Sequence, residues 1–362
     1  MGRKAKRELS AKELRIRKKK RRRRLLIAEG IILVLLVAVL FVWLKVGMIS
    51  FEELDTQTND LDEETQKVME EYITVAIFGV DNRSNGNYDS GNSDSIMIAN
   101  IDNNTGEIKI VSVYRDTCMD VDGEETFRKC NYAFNHGGAE QAVNMLNRNL
   151  DLDIDGYVAV DFYALAGAID ALGGVEIELT DEEAKVMNEA YIGFLEKELG
   201  RKSKRVTAGL HNLDGIQAVA YCRVRYTSGG DFKRAERQRE VLSKMAEKLK
   251  TASVSQLLDL IDEVFPSIST SFNLADILEM APQMQNYQLV DTQGYPFDKY
   301  TGTYGSKGSL VIPCTVESNV RKLHEFLFES ELYTPSAELT DLSEEIEDFS
   351  GKDEEDALDY GY

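Results

Sequence analysis

Histidine, tryptophan and closely spaced cysteines are scarce in this sequence. Its 362 residues include three His, one Trp and four Cys, and no Cys-x-x-Cys motif occurs. Structural zinc sites take their ligands from closely spaced Cys and His residues. The sequence therefore disfavours a structural zinc site, and three His residues leave little material for any histidine-based metal centre.

Basic residues are outnumbered by acidic ones, except in two short stretches where they concentrate. The chain carries 42 Lys and Arg against 63 Asp and Glu, a net charge of −21. The first 24 residues nevertheless hold 14 Lys or Arg against two Glu. The other concentration lies in residues 221–242, YCRVRYTSGGDFKRAERQREVL. Arginines gathered in one place on an acidic chain indicate an anionic ligand there.

One long apolar run follows the basic N-terminus. Residues 25–44 read LLIAEGIILVLLVAVLFVWL, and about 20 apolar residues in a helix span the hydrocarbon core. The basic flank stays cytoplasmic. We predict a basic cytoplasmic tail (1–24), a transmembrane signal-anchor helix (25–46) and a single-pass protein of the cell membrane with an extracellular C-terminal part. A cleaved signal peptide is the alternative, but no Ala-x-Ala site follows. Because the basic run adjoins the predicted transmembrane helix, it is predicted to set the orientation of that helix and not to bind nucleic acid.

The four cysteines all lie on the extracellular side of this predicted topology, where disulfides persist. A bridge between Cys130 and Cys222 is one expectation, because both adjoin the arginine-rich stretch or its neighbours. Four free, buried thiols, with Cys118 and Cys314 included, are the equal alternative.

Composition divides the remainder of the chain into three segments. Residues 47–71 are acidic and polar and are predicted to form a stalk. Residues 331–362 contain eleven acidic side chains between Glu338 and Asp359, a pattern typical of disorder. Residues 72–330 lie between them and are predicted to form one globular domain.

Strand and helix signals alternate within residues 72–330. The segments 95–102 and 107–114 flank an Asn-Asn-Thr-Gly turn and predict a hairpin. Residues 218–226 are predicted to form a strand that leads into a helix over 233–250. This alternation predicts an α/β fold with a central mixed β-sheet sandwiched by helices.

Charged residues cluster where the predicted strands begin or end. Asp81 and Arg83 follow the first strand, Asp94 precedes the second, and Arg115 and Asp116 follow the third. Open α/β sheets bind ligands at such strand ends. Two carboxylates together with phosphate oxygens are a usual setting for Mg²⁺. Asp81 and Asp94 are therefore the predicted metal ligands.

The arginine-rich stretch adds a second set of cations to this predicted site. Arg223 and Arg225 alternate on the predicted strand and so face the same side. The pair Gly229–Gly230 permits a tight reversal. The next helix then presents one face of polar residues at helical spacing, namely Arg234, Arg237 and Gln238. Each piece alone is typical of a solvated surface or a structural ion pair. Together, so many cations would repel one another unless a polyanion, such as a pyrophosphate, occupied the site.

These motifs together resemble the LytR-CpsA-Psr family of cell-wall enzymes. The resemblance runs from about residue 74 to 242 through GVDNR, SDS, SVYRDT, KCNYAFNHGG, GYVAVDF, DALGGVEI, GLHNLDGIQAVAYCRVRY and GGDFKRAERQREVL. It implies a phosphotransferase that moves an anionic glycopolymer from undecaprenyl pyrophosphate to peptidoglycan, at the C6 hydroxyl of N-acetylmuramic acid, with help from Mg²⁺. A lipid pyrophosphate hydrolase and a non-catalytic envelope regulator that binds wall precursors are the alternatives.

The resemblance also implies roles for individual residues. Asp81 and Asp94 match the metal-binding carboxylates, and Asp116 and Asp231 match acidic positions that orient the arginines. The implied catalytic set is Arg115, Asp116, Arg223, Arg225 and Asp231. The implied pyrophosphate-binding set is Arg83, Arg115, Arg223, Arg225, Arg234 and Gln238, with Arg237 close by.

Two positions depart from the family pattern. Asn92 stands where an arginine is common, which removes one cation, and Tyr114 stands where proline is common, a change expected to be neutral. The resemblance further implies an apolar tunnel for the polyprenyl chain. The helix 163–172 and the turn 173–175 are the expected lining.

Overall fold

The computed structural model describes residues 50–81, 88, 91–273, 276 and 286–360. The predicted cytoplasmic tail and transmembrane anchor, residues 1–46, lie outside this part of the chain, as does Arg83. Among the described residues, no helix has both the length and the apolar character needed to cross a bilayer.

A mixed seven-stranded sheet organises the domain. The strands are β1 (Ser50–Phe51), β2 (Tyr72–Val80), β3 (Ser93–Asp102), β4 (Glu107–Val113), β5 (Cys118–Asp120), β6 (Phe127–Lys129), β7 (Gly156–Val160), β8 (Val175–Leu179), β9 (Gly209–Leu213), β10 (Ile268–Thr270), β11 (Gln288–Tyr295), β12 (Lys299–Thr303) and β13 (Ser309–Pro313). The main sheet has the order β1-β10-β7-β2-β3-β4-β11, and the pairs β5–β6, β8–β9 and β12–β13 form small separate sheets. Parallel and antiparallel pairs both occur in the main sheet.

Helices cover both faces of this sheet. They are α1 (Glu63–Met69), α2 (Tyr132–Leu150), α3 (Phe162–Ala171), α4 (Asp181–Val186), α5 (Ile192–Glu198), α6 (Gly215–Cys222), α7 (Gly230–Leu249), α8 (Val254–Val264), α9 (Val316–Phe328) and α10 (Ala337–Ser350). A π-helical turn, Met187–Tyr191, joins α4 to α5.

The strand pleat divides the core between two layers, because successive side chains point to opposite faces. On β2, Phe78 joins the large core that α2, α9 and α10 complete. Its neighbour Ile77 packs instead with Met97 and with Leu242 of α7. The predicted α/β fold with a mixed sheet between helices is confirmed.

The register of the central strands brings the candidate residues together. The predicted hairpin forms, with Ile96 of β3 opposite Val113 of β4. On the other side of β3, Gly79 lies opposite Ser95, and a Cβ on that glycine would lie 2.9 Å from the serine Cβ. Asp94 therefore lies between the end of β2 and the end of β4, at one edge of the sheet.

The predicted stalk and disordered tail are wrong for the described residues. Helix α1 and strand β1 lie within the predicted stalk, and α10 lies within the predicted tail. The physical reason is amphipathic spacing that the acidic composition conceals. On α10, Leu339, Leu342 and Ile346 lie one or two turns apart and are all buried in the large core.

A buried carboxylate ties both segments to the domain. Asp151, at the C-terminal end of α2, accepts hydrogen bonds from the Asn59 side chain at 2.6 Å and the Tyr333 hydroxyl at 2.6 Å. It also accepts from the Ser336 backbone N–H at 2.8 Å and hydroxyl at 2.7 Å. Buried polar groups are stable when they are fully hydrogen-bonded. The globular unit therefore extends from residue 50 to residue 360.

Candidate functional site

Two of the predicted arginines lie on a loop after a helix, not on a strand. Residues 218–226 do not form the predicted strand, because α6 ends at Cys222 and Arg223 is its C-cap. Helix α6 starts from a capping box in which the Asp214 carboxylate accepts from the Gln217 N–H at 2.9 Å. This box is visible in the sequence as Asp-Gly-Ile-Gln. Val224 is fully buried between Arg223 and Arg225, so both arginines still face the same cavity.

Asp94 is the centre of the site. Its carboxylate accepts from Arg115 Nη1 at 2.7 Å and from Arg225 Nη2 at 3.1 Å. Its backbone carbonyl accepts from Arg234 Nη2 at 2.8 Å. Burial raises the pKa of Asp94, but the charges of Arg115, Arg234 and Arg225 outweigh it and hold the pKa below its ordinary value. Arg115 and two arginines of the stretch 221–242 thus converge on Asp94.

Asp231 provides a second carboxylate for the same arginines. Its Oδ2 lies 3.4 Å from Arg115 Nε and 3.3 Å from Arg234 Nη2, and its Oδ1 lies 3.9 Å from Arg225 Nε. The chain reaches this position because Gly229, with φ 85°, adopts the left-handed conformation just before α7 begins. Asp231 therefore lies within ion-pair distance of three arginines of the site.

The arginines are compensated by carboxylates. The expected repulsion between uncompensated cations is not what the structure shows, because Arg115 and Arg225 share Asp94, and Arg234 lies beside Asp231. These arginines differ in how far their side chains are exposed to solvent. The side chains of Arg223 and Arg225 are 22% and 36% exposed, whereas that of Arg234 is 4% exposed. Burial lowers the pKa of Arg234 to about 10, which still leaves it charged near neutral pH.

Arg223 lies against an aromatic wall. Its guanidinium carbon is 4.3 Å from the Phe162 ring centroid and 5.6 Å from that of Phe194. Its Nη2 lies 3.6 Å from Asp81 Oδ2, while its buried Nη1 has no hydrogen-bond acceptor among the described residues. Buried donors are normally satisfied by protein, water or ligand. Arg223 is therefore oriented by stacking and has hydrogen-bonding capacity left for a bound group.

Arg115 also borders a second, polar cleft of about 700 Å³. Asp116 lies in this cleft, where its Oδ1 is 3.0 Å from Lys129 Nζ and 3.8 Å from Arg115 Nε. Arg128, Lys307 and Asn92 also line the cleft. Cations therefore outnumber carboxylates along this wall.

The structure does not bring Arg237 to the cavity with the other arginines. Arg237 is buried behind the loop, and its Nε donates to Glu183 Oε1 at 2.7 Å. Its Nη1 donates to the Val224 carbonyl at 3.1 Å and its Nη2 to Thr227 Oγ1 at 2.9 Å. These contacts assign Arg237 to holding the loop that carries Arg223 and Arg225. Gln238 does line the cavity.

A cavity of about 390 Å³ is lined both by the arginines and by apolar side chains. Helix α3 contributes Phe162 and Leu165 to its wall, as predicted, but the expected turn 173–175 is not part of the lining. The sheet contributes Ile77 and Met97 instead.

Helix α7 spans the cavity from its polar to its apolar end. Arg234 and Gln238 line the polar end, and Val241, Leu242 and Met245 line the apolar end. These positions recur at intervals of three or four residues, so they lie along one helix face. The apolar half of this stripe was not predicted, although its helical spacing is visible in the sequence. Helix α7 thus presents both polar and apolar side chains to the same cavity.

The predicted metal ligands Asp81 and Asp94 would need further oxygen ligands to hold a divalent metal. Asp81 and Asp94 both line the cavity. Among the described residues no group of three or more His, Cys, Asp or Glu side chains is arranged to hold a metal ion. Mg²⁺ is commonly bound by one or two carboxylates together with substrate phosphates. Two carboxylates at the mouth of an arginine-lined cavity match that kind of ligand set.

All four cysteines are free and buried. The expected Cys130–Cys222 bridge therefore does not form, and the alternative of buried thiols is confirmed. Burial raises the pKa of the Cys222 thiol to about 12, so this thiol, which lines the cavity, stays protonated and is not a nucleophile near neutral pH.

Two curated relatives are similar in sequence to this chain over most of the domain. The polyisoprenyl-teichoic acid–peptidoglycan teichoic acid transferase TagU of Enterococcus faecalis is 29% identical over 259 residues, which are 70% of this chain and 80% of the relative. TagU of Halalkalibacterium halodurans is 28% identical over 58% of this chain and 64% of its own length.

A solved structure shares the fold. The LytR-CPS2A-psr family protein YwtF (TagT) with bound octaprenyl pyrophosphate lipid superimposes with a TM-score of 0.53 at 20% identity, covering 77% of this chain and 99% of that chain. The sequence profile of the LytR_cpsA_psr family matches residues 41–309. Since this match takes in nearly all of the site and most of the chain, the protein belongs to the LytR_cpsA_psr family.

Proposed function

We propose that this protein transfers an anionic glycopolymer from an undecaprenyl pyrophosphate carrier to peptidoglycan, at the C6 hydroxyl of N-acetylmuramic acid. Relatives named as teichoic acid transferases support the reaction class. The domain works outside the cell, attached to the membrane by the predicted helix at residues 25–46.

The observation that carries this proposal is the change in character along one cavity. Arg223 and Arg225 line its polar part, and Val241 and Met245 line its apolar part. A polyprenyl pyrophosphate matches this arrangement, because it has an anionic head attached to a long apolar chain. The bound octaprenyl pyrophosphate in a protein of the same fold agrees with this assignment.

The exposed arginines bind the pyrophosphate in this scheme. Guanidinium groups make forked, charge-assisted hydrogen bonds to phosphate oxygens. Arg223 and Arg225 do so from the loop, while Asp94 and Asp231 hold Arg115, Arg225 and Arg234 in place before the substrate arrives. Preorganised charge of this kind stabilises a transition state without reorganisation during the reaction.

The acceptor enters from the polar cleft beside Arg115. Its hydroxyl oxygen attacks the phosphorus that bears the glycopolymer, and the bond from that phosphorus to the bridging oxygen breaks. Undecaprenyl monophosphate leaves with the electron pair, and the acceptor hydroxyl loses its proton. Asp116 lines the cleft and so is the better placed proton acceptor, since Asp231 lies among three guanidiniums.

Asp81 and Asp94 are the residues that would hold Mg²⁺, together with oxygens of the pyrophosphate. The metal would supply charge neutralisation during phosphoryl transfer. The phosphate oxygens that the metal does not contact would be bound by Arg223 and by the arginines around Asp94.

The test is a transfer assay with the full chain, lipid-linked polymer and peptidoglycan. We expect Arg223→Ala and Arg225→Ala each to abolish polymer attachment while the melting temperature stays within a few degrees of wild type. Arg201→Ala is the matched control, because Arg201 pairs with Asp170 at 2.7 Å on the surface. Chelation of divalent metal should also stop attachment, and added Mg²⁺ should restore it.

Full activity of both arginine variants would refute the site. Release of phosphate-bearing products at the same rate with and without peptidoglycan would instead identify a hydrolase. Tight binding of the lipid with no turnover under any condition would identify a wall-precursor sensor.

A further inference from the structure

The last residues of the described chain return to the site. After α10 the chain passes through a short turn, Glu354–Asp356, and runs beside β12. The Leu358 N–H donates to the Lys299 carbonyl at 2.9 Å. The Tyr360 hydroxyl accepts from the Thr301 N–H at 2.8 Å. The C-terminal segment is therefore docked by specific backbone contacts.

Tyr360 completes a box of three aromatic rings around one lysine. The Lys299 ammonium lies 5.5 Å from the Tyr114 ring centroid, 5.2 Å from that of Phe232 and 5.7 Å from that of Tyr360. The rings also contact one another, with centroids 4.6 Å apart for Tyr114 and Phe232 and 5.1 Å for Phe232 and Tyr360. Such cation–π and edge-to-face contacts are directional and stabilising.

Two walls of this box are covalently next to residues of the site. Tyr114 directly precedes Arg115, and Phe232 directly follows Asp231. Arg115 and Asp231 pair with each other at 3.4 Å. The box thus lies immediately behind this ion pair and fixes the two backbone segments that carry it. Tyr114, the residue at one of the two departures from the family pattern, thus forms one wall of this box.

We propose that Tyr360 is a positioning residue for the pyrophosphate site. By closing the aromatic box it holds the first turn of α7 against the segment after β4, and so sets the spacing between Arg115 and Asp231. The family match ends at residue 309, so this contact belongs to a C-terminal part of the chain outside the family profile. The C-terminal segment therefore contributes to the assembly of the site.

The test compares Tyr360→Ala, Tyr360→Phe and a matched control in the full chain. The control is Tyr72→Ala, which removes a half-buried ring that packs on Phe328 at the opposite end of β2. Amide hydrogen exchange measures local order without reference to any substrate. We expect Tyr360→Ala to speed exchange about tenfold at residues 113–117 and 230–234, as loss of one ring contact of this kind implies. Residues 72–80 should be unaffected by this variant.

Binding of octaprenyl pyrophosphate gives the second readout and rests on the proposed function. Tyr360→Ala should weaken it about tenfold, and Tyr360→Phe, which keeps the ring, should recover exchange and binding to within about twofold of wild type. Unchanged exchange at both segments in Tyr360→Ala would overturn the positioning role, whatever the ligand result. If the Tyr72 control weakened lipid binding equally, the effect would be general destabilisation and the proposal would fail. Altered exchange with no lipid bound by any variant would sustain the positioning role and refute the proposed function.

Discussion

Arg237 offers a sharp test of how the arginines divide between binding and support. It was grouped with the phosphate-binding arginines from the sequence, but it is 7% exposed and donates to Glu183, itself 11% exposed, at 2.7 Å. Removing one partner of a buried ion pair costs about 3–5 kcal/mol, because the other charge remains buried. We expect Arg237→Met to lower the free energy of unfolding by about that amount and the melting temperature by roughly 10 °C.

The pH dependence of this loss has a definite sign. Burial raises the pKa of Glu183, but hydrogen bonds from Thr180 and Arg237 outweigh it and leave the pKa below its ordinary 4.5. A carboxyl with a lowered folded-state pKa stabilises the fold above its unfolded pKa and loses this contribution as the pH falls. The difference between wild type and Arg237→Met should therefore be largest above about pH 5 and shrink in more acidic solution.

The assay is urea unfolding of the full chain at several pH values. Glu183→Gln combined with Arg237→Met should recover about 2 kcal/mol, because the double variant buries no unpaired charge. Arg201→Met removes a pair of equal length, 2.7 Å, that is 40% and 35% exposed, and should cost at most about 1 kcal/mol. A near-normal stability of Arg237→Met combined with a tenfold loss of lipid binding would show that Arg237 contacts the ligand and would refute the reasoning.

Two further predictions concern the core and the cavity. Burial lowers the pKa of His324 to about 4. The free energy of unfolding should therefore fall by about 3 kcal/mol between pH 7 and pH 4, because the histidine of the unfolded chain takes up a proton. Urea unfolding of His324→Gln should show a smaller fall over this range, and a fall equal to that of the wild type would contradict the prediction. Leu165→Trp replaces an aliphatic side chain of the cavity wall with a bulky ring. It should weaken octaprenyl pyrophosphate binding at least tenfold without weakening inorganic pyrophosphate binding. Equal losses for both ligands would place the lipid chain elsewhere.

Local sequence signals predicted a mixed sheet between helices and the hairpin at its centre. The hairpin 95–102 with 107–114 and the fold class are confirmed. Charged residues at strand ends were correctly expected to meet, since Asp94 and Arg115 are in contact. These features depend on hydrophobic periodicity and turn residues, which are local properties of the chain.

The errors arose where tertiary contacts override composition. β-branched and aromatic residues in 218–226 favoured a strand, but the Asp214 capping box and burial on all sides of α6 make most of this segment helical. Acidic composition favoured a disordered tail, but spaced apolar residues such as Leu339 bury α10. The partners of Arg237 and Tyr360 come from distant segments, and no local pattern indicates such pairings.

Equilibrium binding of two lipids to the full chain tests the central claim most directly. Octaprenyl pyrophosphate and octaprenol share the same apolar chain and differ only in the charged head. If arginines at the cavity mouth bind the head, the pyrophosphate should bind on the order of 100-fold more tightly, since charge-assisted hydrogen bonds contribute about 1.5–3 kcal/mol each. Arg225→Ala should remove at least tenfold of that preference and Arg201→Ala none of it. Equal affinity for the two lipids, or a preference that survives loss of both Arg223 and Arg225, would contradict the account.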